Sequence, residues 1–223
     1  MANTIKTEFH IHTKYSSDSL LSESVLLLMC RLKKLRCIAI TDHNELKGAL
    51  KIRDDFQKRG ITVIPGEEVF SADGEIIGLF LKNRIAPGMS AEETVQEIKK
   101  QGGLVYIPHP YDEKRYKTVI KADALSRIAD EVDFIECHNG RNISAEFSRR
   151  QNDIAEKYGK IKAVGSDAHT FFEIGRNTVY LSSVKKEELR DALKNADFTK
   201  KKCLWLSHKA TILAKIIKRL RRK

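Results

Sequence analysis

The chain has 223 residues, 41% hydrophobic and 32% charged, which suits one packed domain with an appendage and excludes wholesale disorder. Its longest apolar run, Val25–Cys30, falls far short of the roughly 18–20 residues that span a bilayer, and Met1–Lys6 lacks the layout of a secretory leader. The net charge of +11 is localised: residues 198–223 hold ten bases and no acid, leaving 31 bases and 30 acids in the other 197 residues.

In chain order, short apolar runs rich in β-branched residues alternate with helix-like stretches. The runs are Thr7–Ile11, Cys37–Thr41, Ile61–Pro65, Ile76–Leu81, Leu104–Ile107, Val132–Glu136, Ile161–Val164 and Thr178–Leu181. Between them lie Glu23–Lys34, Leu46–Arg59, Ala91–Gln101, Ala122–Asp130, Ala145–Tyr158 and Lys185–Asn195. Ser90 with Glu93 has the capping-box spacing, and Ser22 and Ser144 are candidate N-caps. Gly60, Gly102 and Gly159 stand where helix ends need a left-handed residue. This alternation predicts an α/β fold with a largely parallel sheet, either doubly wound or closed into a barrel. No G-x-G-x-x-G follows the first strand, which weakens a dinucleotide-binding reading. The expected division is a catalytic domain over 1–197 and a basic tail over 198–223.

Residues able to bind metal follow the C-terminal ends of the apolar runs. They are His10 and His12, Asp42-His43, Glu67-Glu68, His109, Glu136-Cys137-His138 and Asp167-Ala168-His169. Six of the seven histidines lie at such ends, and only His208 does not. In parallel β/α folds strand C-termini converge on one face, where sites are built. Residues i and i+2 of a strand share a face, so His10 and His12 can aim at one point, as can Asp167 and His169. A mixed set of this size is too large for one ion and predicts a multinuclear site, the usual apparatus of phosphoester hydrolysis. The four cysteines (Cys30, Cys37, Cys137, Cys203) form no C-x-x-C pair, so neither a disulfide framework nor a cysteine zinc knuckle is expected, and a reducing, cytoplasmic setting is.

These motifs resemble the polymerase-and-histidinol-phosphatase (PHP) family. The residues that carry the likeness are Phe9-His10-Ile11-His12-Thr13, Thr41-Asp42-His43-Asn44, Pro65-Gly66-Glu67-Glu68, Ile107-Pro108-His109-Pro110 and Gly165-Ser166-Asp167-Ala168-His169, within residues 5–182. The chain looks most similar to the short stand-alone bacterial metal-dependent phosphoesterases of that family. The resemblance implies a distorted (β/α)7 TIM-like barrel holding two or three divalent ions, manganese, zinc or iron. It implies His10, His12, Glu68 and Asp167 as ligands of one ion, with Glu68 bridging to a second held by His109. Asp18, His43 and His169 would hold a third, and Asp42 would orient an imidazole or backbone. Water activated by metal would attack phosphorus, with no covalent protein nucleophile. Glu75 and His138 are further candidate ligands, standing at or beside positions where relatives carry histidine. Arg141, at the strand end after Asn139-Gly140, and Arg115, in the loop after His109, are candidate phosphate binders because their planar donors grip two oxygens.

From Leu206 the pattern becomes that of an amphipathic basic helix. Leu206, Ala210, Leu213, Ile217 and Leu220 form an apolar stripe, widened by Ile212 and Ile216, with Lys215, Lys218, Arg219 and Arg222 opposite. Three roles compete: docking the stripe on the barrel, lying on an anionic membrane surface as a peripheral contact, or binding nucleic-acid phosphates. The expected substrate is a small phosphomonoester or a 5′-phosphorylated oligonucleotide. The alternative function is a non-catalytic metal-binding scaffold whose tail binds membrane or nucleic acid.

Overall fold

The computed structural model describes residues 4–115, 118–202 and 205–221; Cys203 and Arg222 lie outside them, and the side chains of Glu113, Trp205 and Arg221 are not described. Strand β1 (Ile5–Ile11) pairs in parallel with β2 (Cys37–His43) and with β7 (Ile161–Ala168). Between these run β3 (Thr62–Ser71), β4 (Gly74–Leu79), β5 (Leu104–Ile107) and β6 (Phe134–Asn139), and the ring of seven strands closes. The barrel is mixed rather than wholly parallel. β3 and β4 form a hairpin in which Ser71 pairs with Gly74, so β4 runs antiparallel to both neighbours and no helix separates the two strands. Beyond the barrel, β8 (Thr178–Leu181) pairs antiparallel with the first half of β1. A short strand that the apolar pattern did not announce, β9 (Asp197–Thr199), extends β8.

Six helices connect the strands: α1 (Glu23–Leu32), α2 (Lys47–Lys58), α3 (Ala91–Lys100), α4 (Ala122–Ile128), α5 (Ala145–Lys157) and α6 (Lys186–Lys194). Ser22 accepts a hydrogen bond from the Val25 amide, and Ser90 with Glu93 makes the full capping box. Ser144 stands at its helix start in extended backbone but makes no side-chain cap bond. Gly60, Gly102 and Gly159 follow their helix ends with φ of 75°, 72° and 60°.

Alternation along the strands sorts the core into two layers. In β2, Cys37 and Ala39 join the barrel interior, while Ile38 and Ile40 face the helices. In β5, Leu104 and Tyr106 point in, and Val105 and Ile107 point out. Phe9, Tyr106 and Phe134 fill the interior, with the Phe9 and Tyr106 rings edge to face at 6.4 Å. Leu189, Ala192 and Leu193 of α6 join that interior set. A cavity opens at the end where β1, β2 and β7 terminate, and polar residues gather there.

The tail is a helix, α7 (Trp205–Arg221), seated on that end of the barrel. Its orientation is not that of a docked apolar stripe, one of the three roles expected for it. Ser207, Thr211 and Ala214 are buried, whereas Leu206, Ile212, Leu213, Ile216 and Leu220 of the apolar stripe are exposed. The barrel mouth is polar, so polar partners select the face of the helix. Arg141 Nη2 donates to Thr211 Oγ1 at 2.9 Å, and Lys218 Nζ donates to the carbonyls of Lys14 and Ser16. The spacing 207, 211, 214, 218 is itself helical, and it competes with the apolar stripe for the inward side. Among the described residues no helix is long and apolar enough to cross a membrane.

Candidate metal centre

The cluster is assembled from six strands and one loop. His10 lies in β1, and His12 follows its end; around His10 the register of β1 shifts, between Glu8 and Ile11 against β2 and between Phe9 and Ile11 against β7. The bulge coincides with a left-handed backbone at His10, φ 66°. His109 and Asp167 also have positive φ, 28° and 51°. Such backbone costs about 1–3 kcal/mol per residue and persists where the surroundings over-determine it, typically at functional sites. His43 ends β2, Glu68 lies within the long β3, and Glu75 enters from the start of β4. Asp18 comes from the loop after β1, and His169 follows β7.

Four overlapping groups result, each with its candidate ligand atoms within 4.8 Å of one another. They are His12, Asp18, His43 and His169; His10, His12 and Asp167; His10, Glu68 and His109; and His43, Glu68 and Glu75. Glu68 sits at the centre. Its Oε2 lies 3.3, 3.2 and 3.1 Å from His10 Nε2, His12 Nε2 and His43 Nδ1, and its Oε1 lies 3.1 Å from His109 Nε2. His12 Nε2 is 3.3 Å from Asp167 Oδ1, and His169 Nε2 is 3.1 Å from Asp18 Oδ2. Glu75 Oε2 stands 3.5 Å from His109 Nε2.

These separations suit donors arranged around a cation. Ligands about 2.1 Å from a zinc-like ion stand about 3.0–3.4 Å apart. The hydrogen-bond pattern makes the same case. His169 Nδ1 donates to the Asp167 carbonyl at 2.9 Å, which leaves Nε2 a lone pair. Burial, with the charges of Arg141 and His12, pushes His169 down to about 4 against the pull of Asp18. That lone pair nevertheless faces Asp18, whose carboxyl is held far below its usual range despite burial by His169 and His43. With Nδ1 committed to the carbonyl, the contact of Nε2 with Asp18 requires a proton or a metal ion between the two atoms. His10 Nε2, His12 Nε2, His43 Nδ1, Glu68 Oε2, Glu75 Oε2 and Asp167 Oδ1 are all buried and lack a hydrogen-bond partner. Such orphaned atoms converging on one space fit divalent metal ions.

Protons take that role in the metal-free chain. Burial disfavours charge on His12, but Asp167 and Glu68 outweigh it and raise the group to about 9. His10 is raised well above its usual value by Glu68 and Asp167 against the same burial. Glu68 and Asp167 lie well below theirs, with His10 and Arg115 respectively the chief charges opposing burial. Glu75 is pushed up to about 8 by burial and by Glu68.

Sequence reasoning set Glu136 among the metal-capable residues but gave it no role, and the structure gives it one. Its Oε1 accepts from His10 Nδ1 at 3.0 Å and from the Tyr106 hydroxyl at 2.8 Å. Its Oε2 accepts from the His109 amide at 2.7 Å and from Asn139 Nδ2 at 2.8 Å. Because a carboxylate only accepts, His10 Nδ1 must carry hydrogen, and Nε2 is left to the cluster. A Cβ built on Gly165 would lie 1.7 Å from Glu136 Oε1, so the glycine makes room for this carboxylate. The sequence signal was present, since Glu136 ends an apolar run like the other candidates. Glu136→Gln is expected to weaken metal affinity by about 10- to 100-fold, read by competition against a metal chelator, and Gly165→Ala to do the same by displacing the carboxylate.

Asp42 accepts from Thr13 N at 2.5 Å and Thr13 Oγ1 at 2.7 Å, so it braces the backbone next to His12 rather than a ring. Glu67 points away from the cluster and accepts from the Ile85 amide at 2.9 Å. His138 is not brought to the cluster, because its Nδ1 pairs with Ser148 Oγ of α5 at 2.8 Å. The bulge between Glu136 and His138 puts Glu136 and Asn139 on the inside and His138 on the helix side. Arg115 stands at the cluster, with Nη2 on Asp167 Oδ2 and Nε on Asp112. Arg141 is committed elsewhere: it forks Glu173 at 2.8 and 3.1 Å, and Glu173 accepts from the amides of His169 and Thr170. It therefore steadies the loop carrying His169, leaving Arg115 better placed for a phosphate. A cavity of about 920 Å³ opens over Asp18, His43, Glu75, His169 and Arg115, with α7 forming one wall.

With this barrel and site in place, comparison with known proteins defines the class. The PHP domain model matches residues 8–177, and the chain belongs to the PHP domain family. An uncharacterized protein of Methanocaldococcus jannaschii is 33% identical over 189 residues, covering 84% of this chain and 75% of that protein. Among solved structures, a two-domain protein of Bacteroides vulgatus containing a predicted PHP-like metal-dependent phosphoesterase superposes with a TM-score of 0.72 at 22% identity. The match covers 89% of this chain but 65% of that one. PsfC from Pseudomonas syringae matches 98% of this chain and 99% of its own, with a TM-score of 0.66 at 16% identity. At these identities the structures establish the shared fold.

Proposed function

We propose that this protein is a metal-dependent phosphoesterase that hydrolyses a small phosphomonoester at the barrel mouth. The observation that carries the reading is the contact of buried acceptors, His169 against Asp18 and the histidine set around Glu68, which calls for cations. Family membership and the likeness to PHP-like phosphoesterases support it. His10, His12, Glu68 and Asp167 would hold one ion; Glu68 with His109 and Glu75 a second; Asp18, His43 and His169 a third. Bound manganese, zinc or iron supplies Lewis acidity, lowering the pKa of water and neutralising phosphoryl oxygens.

The chain's own contribution is positional. Glu136 fixes the tautomer of His10, and Asp42 fixes the backbone beside His12. Arg115, held by Asp112 and Asp167, turns a planar guanidinium toward the space a phosphate would occupy. Oxygen from water joins phosphorus, the ester P–O bond breaks, and the leaving oxygen takes a proton. Cys30, Cys37 and Cys137 are buried, and burial pushes each thiol up, so none offers a thiolate nucleophile. The seating of α7 over the mouth and the cavity of about 920 Å³ favour a small molecule over a polynucleotide.

The test incubates manganese-loaded protein with 4-nitrophenyl phosphate and, separately, with a 5′-phosphorylated oligonucleotide, resolving products by mass. Phosphate from the small ester with an intact oligonucleotide is the expected result. Mononucleotide release would overturn the small-molecule assignment. No turnover of either, with metal bound, would overturn the enzyme and favour a scaffold.

A further inference from the structure

The wall of the cavity formed by α7 has a chemistry of its own. His208, Thr211, Ile212, Lys215, Lys218 and Arg219 face the cavity, a spacing that runs one side of the helix along most of its length. Every formal charge on this face is positive, and residues 198–223 contain no acid to neutralise it. Lys218 is occupied in anchoring, since its ammonium donates to the carbonyls of Lys14 and Ser16. Thr211 is likewise occupied by Arg141. Lys215 has a different surrounding. Its Nζ approaches Asp18 Oδ2 at 3.6 Å, and its side chain remains 53% exposed, directed over the cavity. Arg219 lies one turn further on, and residues four apart on a helix are neighbours.

The two bases are thus carried on a helix pinned at Thr211, Ala214 and Lys218, and they look across the cavity toward Arg115 and the metal-capable floor. Phe70 and Ile143 also line the space. Contacts of the chain itself at Thr211 and Lys218 hold this basic side of α7 against the cavity, while Leu206, Leu213, Ile216 and Leu220 are exposed.

We propose that α7 is an anion-recognising wall of the active site. Lys215 and Arg219 bind a second anionic group of the substrate, a carboxylate or a further phosphate, on the side remote from the ester that is cleaved. This rests on the phosphoesterase reading for the identity of the bound molecule as substrate. The wall makes the preferred substrate a compact, doubly anionic molecule with an uncharged middle that fits beside Phe70 and Ile143.

Two esters differing by one carboxylate test this: phenyl phosphate and 4-carboxyphenyl phosphate, with full-length metal-loaded protein at low salt. The wild type is expected to show a KM about tenfold lower for the carboxylated ester, with similar kcat. Lys215→Ala combined with Arg219→Ala is expected to remove most of that preference. Lys209→Ala, which also deletes a charge from the exposed side of α7, should retain it. Equal KM values for the two esters in the wild type would overturn the proposal. A loss of preference in Lys209→Ala as large as in the double variant would also overturn it, because it would reduce the effect to general attraction. If neither ester is hydrolysed, the phosphoesterase reading falls by itself. The wall is then judged by calorimetric binding of the same compounds, and tighter binding of the carboxylated one by the wild type alone would sustain it.

Discussion

Replacing His12 and Asp167 together by alanine is expected to abolish both metal retention and hydrolysis, with activity down by at least about 10³-fold, a loss of about 4 kcal/mol of transition-state stabilisation. The two side chains stand 3.3 Å apart, buried, and both lie within reach of the atoms grouped around Glu68. Removing them takes away two of the donors on the side of Glu68 nearest His10 and leaves Glu68 facing His10, His43 and His109. It also frees Arg115 from Asp167, so among the described residues the guanidinium keeps Asp112 as its ion-pair partner. Metal content by mass spectrometry and turnover of 4-nitrophenyl phosphate should fall together. Circular dichroism separates this from unfolding, and the near-isosteric Asp167→Asn provides a variant that preserves volume. A double variant that folds, loses its metal and still hydrolyses at the wild-type rate would rule out the metal-dependent mechanism.

Much of this architecture was legible in the sequence because it is written in local patterns. The apolar runs and capping signals place the strands and six helices, and the clustering of His, Asp and Glu at run ends points to the mouth of the barrel. What the sequence concealed depends on tertiary partners. The hairpin between β3 and β4 has no helix to announce it, and β9 is too short for periodicity to mark. Glu136 sits among the candidates, yet its role emerges only when Tyr106, His109, Asn139 and His10 converge on it and Gly165 yields space. His138, its neighbour by two positions, is carried to the other side by a bulge that one sequence cannot reveal. The C-terminal helix shows the limit most clearly. Its apolar stripe left docking as one of three roles, and polar groups at the mouth, Arg141 and the Lys14 and Ser16 carbonyls, hold the other face instead. Periodicity reports what a helix could bury, whereas the surface it meets decides what it does bury.

Removing metal should make the stability of the protein more sensitive to rising pH. In the metal-free chain the proton on His12 stabilises the fold, since the group lies at about 9 in the folded state against 6.5 as its ordinary value. For a base raised in this way the contribution is full below pH 6.5 and disappears as pH climbs through about 9. Glu75, raised from 4.5 to about 8, changes in the same sense, its contribution fading toward and past pH 8. Asp18, Glu68 and Asp167 are depressed, so their contributions stand above the ordinary carboxylate range and stay flat in this window. His169, depressed to about 4, is likewise flat above 6.5. Metal ions replace the protons and prefer neutral imidazole, so the loaded protein escapes the loss. Glu8, raised to about 8 by burial, lies outside the candidate ligand groups, so its effect is expected in both forms and cancels in their difference. The gap in melting temperature between metal-loaded and chelator-treated protein is therefore expected to widen between pH 6.5 and 9. The shift of His12 alone corresponds to about 3 kcal/mol, or roughly 6–12 °C for a chain of this size. Scanning calorimetry of both forms across that range provides the measurement. A gap that stays constant or narrows would mean that protons on His12 and Glu75 do not hold the cluster together in the absence of metal.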